Sequence, residues 1–207
     1  HDSAWYAAFD LADAGTTIAA IVDTRSEPNA DLIAEATKRG IRIMAGHTVT
    51  GTEGRLRVKS VRVNPVTGSS VGAAEMIGCD CLLMSGGWTP SLHLFSHTKG
   101  TLKWDDERQT FLPDHKAEEC EIAGAGRGLW GIEAVLNDGA EMGAAVAKSL
   151  GKKAKAASYG VANDRPGTGV SHKELPTDLD AGKARAFVDY QNDVTAKDLR
   201  LAVREGM

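Results

Sequence analysis

Cysteine is scarce in this chain, at three residues of 207, and the odd number excludes a disulfide framework and points to a reducing compartment. No stretch approaches the ~18 consecutive apolar residues that a bilayer crossing needs, and no charged segment followed by an apolar one opens the chain as a secretion signal. Cationic excess is missing too. Against 28 Asp and Glu stand 24 Lys and Arg, a formal charge of -4 that withdraws any general attraction to nucleic acid or anionic membrane. The expectation is a cytoplasmic protein that works on a small-molecule substrate, with no nucleic acid and no membrane as partners. Catalytic signatures are absent as well: there is no Ser in a G-x-S-x-G elbow, no C-x-x-C pair and no marked pair of carboxylates, so no catalytic residue is named.

With 42% apolar and 25% charged residues the chain reads as an ordinary globular protein of one domain or parts of two. "DSAWYAAFDLADAG" has helical periodicity, with Ala4, Ala8 and Leu11 beside Trp5, Phe9 and Ala12, Asp2 or Ser3 as cap and Gly15 as stop. "TTIAAIVDTR" is a β-branched run ending in Asp23, in the manner of a strand buried in a parallel sheet. "NADLIAEATKRG" is a second helix capped by Asn29 and closed by Gly40, and "IRIMAG" a second strand. The period then changes to two in "GRLRVKSVRV", where Leu56, Val58, Val61 and Val63 are expected to share the buried side of a strand. "NPVTGSS" turns the chain, and "AAEMIGCDCLLMS" returns it through a central strand ending at Cys81–Ser85. A helix-like start at His1 and a helix ending beside Met207 lead to the expectation that this is an internal piece of a longer polypeptide.

Cys79 and Cys81 alternate onto one face of that strand but lack a second ligand pair, so they read as buried thiols, with no metal site named. His93 and His97 have helical i, i+4 spacing without a Glu or third ligand and read as packing or surface residues. Two glycine corners remain. Gly86, Gly87 and Trp88 follow the return strand, at the sheet end where doubly wound proteins bind nucleotides. Gly124, Ala125 and Gly126 follow an expected strand over Cys120–Ala123 and precede a long small-residue helix. The start of that helix offers N–H groups to a phosphate or a flavin carbonyl, and its small residues allow close backbone approach. A tight turn with close packing explains this second corner equally well.

The order of these elements, with "LLMSGGWTPSLHLF" and "EIAGAGRGLWGIEAVLNDGAEMGAAVA", resembles the later part of a two-dinucleotide-domain flavoprotein of the pyridine nucleotide-disulfide reductase type. "SGGWTPSLHLFSHTKGTLKWDDE" and "FVDYQNDVTAKDLRLAVREGM" more closely resemble the alpha subunits of heterotetrameric sarcosine oxidases. The resemblance implies an α/β, doubly wound fold with an antiparallel β-insertion, incomplete in this chain. It implies an NAD-type unit over 1–80 lacking its first strand, the returning part of an FAD-type unit over 81–151, a linker or extended arm over 152–182 and the start of a small helical domain over 183–207. It further implies NAD, FAD and FMN in the complex, beta, gamma and delta subunits as partners, and oxidation of sarcosine with delivery of the one-carbon unit to tetrahydrofolate or its release as formaldehyde.

Within the NAD-type unit the reductases carry a G-x-G-x-x-G turn where this chain has His1-Asp2-Ser3-Ala4-Trp5, so a pyrophosphate could not come as near at Ser3. Asp23, beside Thr24 and Arg25, stands where an acidic residue accepts hydrogen bonds from an adenosine ribose, favouring NAD over NADP although Arg25 blurs the choice. A strand-ending Asp that caps the following loop accounts for Asp23 at least as well. Some relatives hold an iron–sulfur cluster in the last domain, and with no Cys after Cys120 none is expected here. Two alternatives stay open: a non-catalytic nucleotide-binding scaffold module, and a subunit of a related amine or opine dehydrogenase. A sheet without its first strand would leave an unpaired apolar edge, so the piece alone is expected to be marginally stable or to pair with another chain.

Overall fold

Asp2 starts the first helix, α1 (Ser3–Asp13), as expected, but its carboxylate does not cap the helix and turns instead to Arg25. Asn29 does cap α2 (Ala30–Lys38), accepting the Asp31 N–H through its side chain. The computed structural model describes residues 1–68, 70–165, 187–189 and 192–207. Between the two helices runs β1 (Ile21–Asp23), which pairs in parallel with β2 (Ile43–Ala45). This βαβ unit buries Trp5, Phe9, Ile21, Leu32, Ala36 and Ile41 in one cluster. Outside it, Arg39 ties the helices together, bonding Asp13 at 3.0 Å and lying 4.9 Å above the Phe9 ring.

The β-insertion is antiparallel, as its two-residue period implies, but its boundaries differ from the pattern. Its members are β3 (His47–Glu53), β4 (Ser60–Thr67), β5 (Ser70–Val71) and β6 (Glu75–Gly78), with β4 between β3 on one side and β5 and β6 on the other. Val61 and Val63 face a second cluster with Met44 and Ile77, while Arg62 between them is exposed. Leu56, expected in that row, is 97% exposed, because residues 54–59 form a connection that precedes the strand. β3, rich in Thr and Gly, carries too little apolar alternation to be read from sequence, and "NPV" continues β4 rather than turning it.

The expected central strand over Cys81–Ser85 is corrected. Residues 79–92 run without ladder partners; Leu82 packs against the second cluster, but Leu83 and Met84 are 65% and 83% exposed. An apolar run becomes a buried strand only where another strand or helix covers it, and among the described residues none does. Next come α3 (His93–His97), whose Phe95 is buried, and the hairpin β7 (Leu102–Asp105) with β8 (Thr110–Pro113), carrying a Trp104–Phe111 edge contact. Cys120–Ala123 is likewise not a strand; a 3-10 turn (Gly124–Arg127) leads into α4 (Ile132–Ser149). Of α4 only Ala144 is buried, and a Cβ on Gly139 or Gly143 would meet no atom within 4 Å, so no close backbone approach occurs at these two glycines among the described residues.

Beyond α4 the chain turns back. Tyr159 exchanges hydrogen bonds with Asn137, and Arg165 reaches Asp10 at 2.9 Å and lies over the Tyr6 ring. This part runs as an arm from α4 to α1. The rest of the expected linker, 166–182, lies outside the described residues, as do 183–186 of the expected helical domain. There β9 (Phe187–Asp189) pairs with β10 (Val194–Thr195), and α5 (Ala196–Glu205) begins in a capping box of Thr195 and Asp198 and ends at Gly206 with φ 74°. No helix of the described residues is long and apolar enough to cross a membrane.

Candidate functional site

The end of β1 and the start of α1 meet in a charged network. Asp23 is 5% exposed and accepts four hydrogen bonds: Trp5 Nε1 at 2.7 Å, the Arg25 N–H at 2.9 Å, and Arg25 Nε and NH2 at 3.0 and 2.7 Å. Arg25 NH1 turns the other way, to Asp2 Oδ1 at 2.7 Å. Burial pushes the Asp23 carboxyl up, but the hydrogen bonds from Arg25 and Trp5 and the guanidinium charge outweigh it and hold the group below its ordinary value. The bonds to Asp23 in turn raise Arg25 and keep it cationic. Trp5 is fully buried, Asp2 is 2% exposed, and Arg25 bridges the two carboxylates. Thr24, between Asp23 and Arg25, is half-buried.

Ser3 lies close by but faces another way. Its hydroxyl is 2.6 Å from that of Ser85, which brings the Gly86-Gly87-Trp88 corner to the start of α1. The His1 ring packs 4.9 Å from Trp88, and Trp88 meets Trp130 edge-on at 5.6 Å. A Cβ on Gly86 would meet nothing within 4 Å, and Gly87, at φ 114°, would bring one 3.5 Å from the His1 ring. Bare backbone and a half-exposed indole therefore face open space together. Nothing local in the sequence marks Asp2, Trp5 and Trp130 as site residues, because their partners Arg25, Asp23 and Trp88 are distant along the chain.

The second glycine corner is built differently. Gly124 is buried at φ 63°, where a Cβ would come within 2.9 Å of Val135, and a Cβ on Gly126 would lie 2.8 Å from Ile122. The Gly124 N–H donates to Asp138 at 2.7 Å, and Arg127 pairs with the same carboxylate. At the start of α4 the Ile132 and Glu133 N–H groups donate to Asp164 at 2.9 and 3.0 Å. The expectation that this helix offers unpaired N–H groups to a ligand is corrected: a carboxylate 32 residues downstream takes them. Ala125 is exposed on the turn. Nearby, an open cavity of about 390 Å³ is lined by Phe95, Lys103, Leu112, Cys120, Arg127 and Met142 among others. Of the cations lining it, Lys116 and Arg127 are matched by Glu121 and Asp138.

Cys79 is half-buried beside the second core cluster, Cys81 is exposed, and all three cysteines are free. His93 and His97 are exposed at the two ends of α3.

Comparison with known proteins bears on what this geometry serves. No family model matches the chain. Over 206 residues, the whole chain, it is 32% identical to sarcosine oxidase subunit alpha of Rhizobium meliloti (strain 1021), covering 20% of that protein. Over its whole length the chain is a relative of one segment of the sarcosine oxidase alpha subunit. The alpha subunits of Corynebacterium sp. strains P-1 and U-96 match at 31% and 30% identity, again over the full chain and over 22% of each. The chain thus spans about a fifth of the length of the curated relatives it matches. Among solved structures, an L-proline dehydrogenase from P. horikoshii superposes with a TM-score of 0.58 over 91% of this chain and 37% of that one. At 19% identity this likeness shows the fold alone, an α/β fold of the kind found in an oxidoreductase.

Proposed function

We propose that the chain is part of the alpha subunit of a heterotetrameric sarcosine oxidase, contributing to nucleotide or flavin binding and to assembly. Kinship over the whole chain with sarcosine oxidase alpha subunits supports this reading. In it the complex oxidises the CH–NH group of sarcosine with O2, yields glycine, and passes the one-carbon unit to tetrahydrofolate or releases it as formaldehyde. The beta, gamma and delta subunits complete the enzyme, FAD, FMN and NAD are its cofactors, and the flavin that accepts the substrate's electrons is held by the beta subunit. The residues described here bind and orient; none supplies a proton or a nucleophile.

One observation carries the site within this reading: the convergence of Ser3, Ser85, Gly86, Gly87, Trp88 and Trp130 around open space. A planar ring fits against the half-exposed face of Trp88, and bare main chain at Gly86 permits close contact. Replacing Gly86 by Ala in the assembled oxidase tests it. The added methyl meets no protein atom within 4 Å, so the melting temperature is expected to stay unchanged while cofactor affinity falls about tenfold. Unchanged affinity for flavin and for NAD would refute the placement.

A second reading, a non-catalytic scaffold module that keeps the nucleotide fold for assembly, is favoured by the ion network at Asp2, Arg25 and Asp23. The likeness in fold to an L-proline dehydrogenase is compatible with a third, a subunit of a related amine or opine dehydrogenase.

A further inference from the structure

We infer that the crevice between the start of α1 and the end of β1, where a doubly wound fold receives a dinucleotide, is sealed by the chain's own Asp2–Arg25–Asp23 network and acts as a structural clamp. A dinucleotide makes three demands of such a crevice: free N–H groups at the helix start for the pyrophosphate, a close backbone approach, and an acidic residue open to the ribose hydroxyls. Each is met internally. The Ser3 N–H donates to the His1 ring at 3.2 Å, and those of Ala4 and Trp5 to the carbonyls of His1 and Asp2 at 3.1 and 3.0 Å. The helix start therefore spends its first donors on its own turn.

The acidic residue is equally committed. Both Asp23 oxygens already accept two donors each, from Trp5 and Arg25, and the residue is 5% exposed, so a ribose hydroxyl would have to displace a charged, buried partner. The charge runs against a phosphate as well. Both arms of Arg25 are held by carboxylates, so the cation is not available to a phosphate, and the residue at the start of α1, Asp2, is itself acidic. The residues do not fit NAD at this position. What they do fit is a bolt that holds α1 against β1 through four buried or nearly buried groups.

The bolt extends beyond this crevice. At α4 the first N–H groups are closed by Asp164, so both long helix starts of the described residues are occupied by the chain itself. Within the proposed function, a nucleotide contact among the described residues then falls to the Gly86–Trp88 corner, which does not involve Asp23.

Calorimetric titration of NAD into the intact full-length subunit, at a temperature where every variant is folded, tests the inference with Arg25→Met and Asp23→Asn. Both variants are expected to bind NAD within about twofold of the unaltered protein while melting at lower temperature. An affinity about tenfold weaker or more in either variant would overturn it. Should both variants fail to fold, hydrogen exchange of the unaltered subunit decides. NAD is expected to leave protection of residues 23–26 unchanged, and new protection there overturns the clamp. Because Gly86 is untouched in every arm, failure here is distinguishable from failure of the corner.

Discussion

Replacing Trp5 by Phe isolates one arm of the buried network. Trp5 is completely buried and its indole N–H donates to Asp23 Oδ2 at 2.7 Å; Phe keeps an aromatic ring in the same cluster but removes that donor. A hydrogen bond to a charged acceptor contributes about 1.5–3 kcal/mol, and the smaller ring forfeits roughly 1 kcal/mol more of apolar burial. Together the cost is about 3 kcal/mol, which in a chain of this size lowers the melting temperature by roughly 6–12 °C. Far-UV circular dichroism is the assay, since tryptophan fluorescence would lose one of its own reporters. Acidity supplies the control. Asp23 is depressed in the folded state, so its ionised form stabilises the fold above the ordinary carboxylate value near about 3.9, and that contribution is lost as pH falls through the lower, folded value. The gap between Trp5→Phe and the unaltered protein should therefore narrow below about pH 4 as the charged acceptor disappears. A loss under about 0.5 kcal/mol at neutral pH, or a gap indifferent to acid, would refute the account of Asp23 as a charge satisfied from inside.

Two further substitutions separate pattern from packing. Leu56→Lys, at a position 97% exposed, should change stability by no more than about 0.5 kcal/mol in urea unfolding, although the alternation of its segment would place it in the core. Gly124→Ala should lower stability by at least about 1–2 kcal/mol from the left-handed backbone alone, with more from the contact 2.9 Å away at Val135. Trimming Val135 to Ala in the same protein should recover the packing part and leave the backbone part, as read by urea midpoints.

The first βαβ unit was legible because each of its signals is local. The spacing of Trp5, Phe9 and Ala8, the Asn29 cap and the β-branched run into Asp23 all act within a few residues, and helix, strand and cap formed where those signals stood. The same holds for Thr195 and Gly206 around α5. Where the pattern and the structure part, the deciding atoms are distant in sequence. Cys81–Ser85 has the composition of a buried strand, but burial needs a neighbour, and no described element pairs with it. Leu56 alternates with charges correctly and still lies outside, because the ladder begins four residues later at Ser60.

The candidate site divides along the same line. The residue types at its corners, Gly86-Gly87-Trp88, Gly124-Ala125-Gly126 and Asp23-Thr24-Arg25, were readable, since glycine and a strand-ending Asp announce unusual backbone or charge. Whether each corner is open was not. Gly86 faces empty space while Gly124 lies under Val135; Asp23 is met by Trp5 from 18 residues upstream, and α4 by Asp164 from 32 downstream. Sequence alone determined which groups could receive a ligand. The tertiary structure decided which of them the protein satisfies for itself, because a hydrogen-bond donor or a charge can be spent only once and its partner is chosen by the fold.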